Sequence, residues 1–130
     1  DSFSPYREFA KKLVVDENIE FLLDLHIMAP HRPYDIDLGT GRGKNIQGKT
    51  EIVNEVEKIF QSNGVKEVRI DHLFTAGYPY TVSADIANRC NIFCLQIEIN
   101  WHLLEEIQSL TTVVSSLIQV IEFMTKGVKE

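Results

Sequence analysis

Apolar positions recur along this chain with two periods, and the switches between them mark out its elements. Ser4-Pro5 reads as an N-cap followed by proline at the first helical position. Phe9, Leu13 and Val14 then recur near helical spacing, which predicts a helix over residues 5–15. Residues 19–25, IEFLLDL, form a short, almost continuous apolar run with the length of a buried strand, ending near His26. Ile52, Val53, Val56, Ile59 and Phe60 return to spacings of three and four, predicting a helix over residues 51–62 closed by Asn63-Gly64. Residues 65–70 and 91–99 (NIFCLQIEI) read as two further strands, with a short helix over 83–89 between them. Leu104, Ile107, Leu110, Val114, Leu117, Ile118, Ile121 and Met124 make a long amphipathic helix over residues 103–124. Such alternation predicts an α/β fold, with a mostly parallel sheet, helices on its faces and a long C-terminal helix.

Composition narrows the class. A chain of 130 residues is expected to form one domain able to bury a core without disulfide or metal staples. The net charge of −6 and the scattered lysines and arginines argue against a nucleic-acid partner. No segment reads as a bilayer span, and the first residues, DSFSPYREF, lack the layout of a signal peptide, so a soluble, cytoplasmic protein is expected. Cys90 and Cys94 read as two reduced, partly buried thiols.

Ligands of open α/β sheets gather at the carboxyl ends of strands, where two polar groups stand: Asp24 with His26, and Glu98 with Asn100. Asp24 and His26, two apart, leave the same face of a strand. An imidazole there can bind a metal through one nitrogen while a carboxylate holds the other, or can simply be capped by loop hydrogen bonds. Glu98, within QIEIN, is either a desolvated functional carboxylate or one of three polar residues on the wet face of an edge strand. Residues 43–50, GKNIQGKT, match the phosphate-loop pattern through Lys49 and Thr50, although no clean strand reads directly into the loop. His102 and Glu105 have the spacing of a zinc pair on one helical turn but read more simply as surface residues. His31, Arg32, Asp35 and Asp37 read as the polar wall of a loop, with Arg32 placed to meet a substrate carboxylate.

The segments SPYREFAKKL, FLLDLHIMAP, DIDLGT, FTAGYPYTVS and CLQIEIN occur in an order and approximate spacing that resembles the N-formylglutamate amidohydrolase family, from about Ser4 to Asn100. The resemblance implies a fold similar to the zinc carboxypeptidases, with a mixed, mostly parallel sheet between helices on both faces, and hydrolysis of the amide of an N-acyl amino acid. It implies one zinc ion with His26 as a ligand, Asp24 orienting His26, and Glu98 as general base. Arg32 would contact substrate, as would Thr75 and Tyr78 of the segment 74–80. The family's other two ligands precede the segment matching SPYREF, so this chain would correspond to the carboxyl-terminal portion of a longer enzyme and be inactive alone. It departs from the family at Ile27, where a small polar residue is common. Two other readings stand beside this one: a nucleotide-binding protein using Lys49 and Thr50, and a non-catalytic module, possible as a homo-oligomer, that offers residues 103–124 to a partner.

Overall fold

The computed structural model describes residues 4–127. Its elements run α1 (Pro5–Asp16), β1 (Phe21–Met28), β2 (Ile36–Gly39), α2 (Thr50–Ser62), β3 (Val68–Ile70), α3 (Val82–Cys90), β4 (Phe93–Asn100), a 3-10 turn (Trp101–Leu104) and α4 (Ile107–Gly127). Local chemistry accounts for several boundaries. Ser4 Oγ accepts from the amide of Arg7 at 3.3 Å ahead of Pro5, and the Thr81 hydroxyl caps α3 by accepting from the amide of Ala84. α2 ends at Asn63, whose side chain donates to the carbonyl of Ile59, and Gly64 follows with φ of 105°.

The four strands form one mixed sheet in the order β1-β4-β2-β3. β1 is parallel to β4 and β2 to β3, while β2 and β4 are antiparallel. Helices cover both faces. On one, Phe93, Leu95, Ile97 and Ile99 of β4 and Ile36 and Leu38 of β2 pack with Val53, Val56 and Phe60 of α2 and Val113, Val120 and Met124 of α4. On the other, Cys94 of β4 packs with Val14 of α1 and Ile86 of α3. Arg89 joins the two helices of that layer, contacting Glu8 at 2.6 Å and Asp85 at 2.8 Å.

Three expectations need correction. Residues 36–39 are a strand inside the expected polar loop, because Asp35-Ile36-Asp37-Leu38 alternates with period two and buries both apolar members. β1 is an edge strand rather than a buried one, with Leu25 and Ile27 more than half exposed. The last helix begins at Ile107, since Asn100 Oδ1 accepts from the amide of His102 and winds the preceding turn as 3-10. Against the expectation that no segment reads as a bilayer span, that helix is long and apolar enough to cross a membrane, yet Val113, Val120 and Met124 on its inner face are buried in the core.

Candidate active site

Alternation along the strands divides β4 into two sets. Phe93, Leu95, Ile97 and Ile99 face α2 and α4, so Gln96, Glu98 and Asn100 continue the face that begins with Cys94. All three polar residues are buried, because β4 is central in the sheet. The edge-strand alternative for Glu98 therefore does not apply. Register carries the same face across the sheet: His26 of β1 lies beside Glu98, Glu98 beside Asp37 of β2, and Asp37 beside Arg69 of β3. One titratable or charged residue from each strand thus stands in a single transverse row.

The two ends of this row differ in chemistry. Asp37 is fully buried and accepts from the Tyr34 hydroxyl at 2.8 Å and from the amides of His72, Leu73 and Phe74 at 3.1, 2.8 and 3.0 Å. Burial, with the bond to Asp37, pushes the Tyr34 phenol above its ordinary value. Arg69 stacks over the Tyr34 ring at 4.7 Å. This end is a closed network that pins the loop after β3 onto β2. Asp37 is consequently an anchor of the fold and not the loop-wall residue expected from the sequence.

The other end is open. Asp24 Oδ2 lies 2.8 Å from His26 Nε2, and His26 Nδ1 lies 3.8 Å from Glu98 Oε2. An N–H on Nε2 donated to Asp24 leaves Nδ1 as the lone-pair nitrogen, turned toward Glu98. The His26 side chain is 45% exposed and that of Glu98 only 8%. Gln96 Nε2 donates to Glu98 Oε2 at 3.3 Å. Burial raises the Glu98 carboxyl above its ordinary 4.5; His26 opposes the rise, and the nearby Asp37 and Asp24 add to it. A carboxylate held ready to take a proton, next to an accessible imidazole, is the arrangement this face presents.

The remaining expected residues are distributed around it. Arg32 stands in the connection after β1; its carbonyl and that of Tyr34 accept from Asn100 Nδ2, its guanidinium lies 5.6 Å from the centre of the Phe74 ring, and its buried Nε has no partner among the described residues. Residues 74–76 cross directly over Gly39, where an added Cβ would lie 2.6 Å from the Phe74 carbonyl oxygen. Gly39 is in register with Gln96, so this segment walls the polar face on the β2 side. Thr75 and Tyr78, however, line a cleft of about 480 Å³ with Gly41, Arg42 and Lys44, and that lining includes neither His26 nor Glu98. The structure brings Asp24, His26 and Glu98 together and sets Thr75 and Tyr78 apart from them.

The other sequence candidates are occupied elsewhere. His102 Nε2 is 2.8 Å from Asp35 Oδ1, which ties the 3-10 turn to the start of β2. In residues 43–50 the amides of Gly43, Lys44, Asn45, Gly48, Lys49 and Thr50 all donate within the loop itself, to Thr40, Gly41, Gly43, Ile46 or Gly48, and Ile46 plugs the core. A phosphate cradle needs such amides free and convergent. Cys94 is buried, which pushes its thiol up to about 12 and leaves it chemically inert.

Among the described residues, no three His, Cys, Asp or Glu side chains are grouped to hold a metal ion. What the site does offer is one imidazole with a free nitrogen and a carboxylate fixing the other, the usual support of a metal-bound histidine. No family model, no curated protein and no solved structure matches this chain.

Proposed function

We propose that the chain belongs to a zinc-dependent amidohydrolase of the N-formylglutamate type, which cleaves the amide of an N-acyl amino acid to a carboxylate and a free amine. The observation that carries this reading is the contact between His26 and Glu98, an accessible imidazole and a buried carboxylate with raised pKa on adjacent strands. His26 would hold the ion through Nδ1 with Asp24 fixing Nε2, and further donors would come from outside the described residues. When bound, zinc polarises the amide carbonyl and acidifies a water molecule.

The protein's own groups do the rest. Glu98 takes the proton of the attacking water and delivers it to the leaving nitrogen. Its burial matters because a base is most effective when its pKa approaches the working pH. Gln96 fixes the rotamer of Glu98 through its 3.3 Å hydrogen bond, leaving the other carboxylate oxygen for the water. Arg32, whose buried Nε has no partner among the described residues, is the group suited to a substrate carboxylate.

The test is release of glutamate from N-formyl-L-glutamate by the natural protein carrying this chain, with zinc supplied and with a chelator. Zinc-dependent release that His26→Ala abolishes is the expected result. Release unaffected by both the chelator and the substitution would contradict the assignment.

A further inference from the structure

The long helix α4 has two apolar faces. Val113, Ser116, Val120 and Met124 are buried against the rest of the chain, yet Ile107, Val114, Ile118 and Ile121 lie on the opposite side, exposed by 76, 46, 52 and 49%. With the exposed Thr111 and Thr125 they form the series 107, 111, 114, 118, 121, 125, whose steps alternate between four and three. That is a heptad seam of period 3.5 running the length of the helix, and every one of its six members is β-branched. The two threonines fit it as apolar residues. Thr111 Oγ1 donates to the carbonyl of Ile107 at 2.7 Å and Thr125 Oγ1 to that of Ile121 at 2.8 Å, so their hydroxyls are satisfied within the helix and their methyl groups are left for the seam.

We infer that this seam is where a second copy of the chain docks, two α4 helices packing side by side with knobs of one in the holes of the other. A stripe of period 3.5 is self-complementary, since a helix bearing it fits another bearing the same. Charge selects the same occupant. The chain carries −6, and the exposed faces of the other helices bear charges: Lys12 and Asp16 on α1, Glu51 and Lys58 on α2, Arg89 on α3. From Ile107 to Ile121 there is no charged residue. α4 is therefore the helix through which two acidic copies meet without opposing like charges. A lipid surface fits less well, because the seam is flanked by Gln108, Ser115 and Glu122 where an interfacial helix carries lysine and arginine.

Sedimentation equilibrium of the full chain tests this. The expected mass is twice the 14.9 kDa of one chain, falling toward the monomer on dilution. Ile118→Glu, at a position exposed within one chain, should leave the circular dichroism spectrum and cooperative melting intact while weakening association about a hundred-fold, because it places a carboxylate in the dry seam. Phe9→Glu, on the exposed face of α1, should remain dimeric. A monomeric wild-type chain, a folded Ile118→Glu variant that stays dimeric, dissociation by Phe9→Glu alone, or a wild-type monomer that binds phosphatidylcholine–phosphatidylglycerol vesicles would each overturn the proposal.

Discussion

Glu98 and Asp37 are neighbours in one row of the sheet, both buried, and their surroundings give them opposite roles. Among the described residues Asp37 receives four hydrogen bonds; Glu98 receives one, from Gln96, and stands beside an imidazole. Asp37→Ala leaves three amides and a phenol without their acceptor, and is expected to cost on the order of 3 kcal/mol or more in urea unfolding. Glu98 acts on stability in the other direction. Its carboxyl is raised above 4.5, so just above that pH the folded chain keeps a proton that the unfolded chain releases. The stabilising effect is therefore complete below 4.5 and is lost as pH rises through the raised value. Glu98→Gln removes the dependence, and its melting temperature in chelator should exceed that of wild type by about 2–5 °C at neutral pH, the two converging in acid. Equal pH dependence in both proteins would show that Glu98 is not held in this way. The sequence singled out Glu98 because a carboxylate between isoleucines is conspicuous. It concealed Asp37, since four partners contributed by residues 34 and 72–74 leave no mark on the letters DID.

At the scale of elements, most helices and strands were legible because each buries one periodic face. The 3-10 turn and β2 were not. β2 has only four residues, bracketed by prolines and glycines, and its short alternation becomes a strand through pairing with β4 and β3 on either side. Its register is nonetheless what places Asp37 beside Glu98. The close crossing of residues 74–76 over Gly39 fixes the wall of the site, and Gly39→Ala forces a methyl group against the Phe74 carbonyl. A loss of about 1–3 kcal/mol is expected, together with displaced amide resonances for residues 72–76 in the nitrogen–proton correlation spectrum. An Ala variant of wild-type stability and unchanged spectrum would show that this crossing does not confine the site. The final helix shows the converse limit. Its apolar pattern reads as a single amphipathic stripe through Ile107, Val114, Ile118 and Ile121, but those four are exposed, and only burial reveals Val113 and Val120 as the core face.

For the molecule as a whole, the α/β architecture followed from alternating elements, and the pairing of His26 with Glu98 followed from β1 and β4 lying side by side in parallel register. Which strands became neighbours could not be read from the chain, because pairing joins segments some seventy residues apart whose apolar runs look alike. The fold leaves one side of the polar row sealed and the other accessible, and that asymmetry separates the Asp24–His26–Glu98 end from the closed network around Asp37 and is what the proposed reaction would use. The most direct measurement is steady-state hydrolysis of N-formyl-L-glutamate, in zinc, by the natural protein and its Glu98→Gln variant. With Glu98 as the base, kcat falls at least about a hundred-fold while KM and the zinc content stay near wild type. A variant that keeps kcat within a factor of about two would show that Glu98 is not the base.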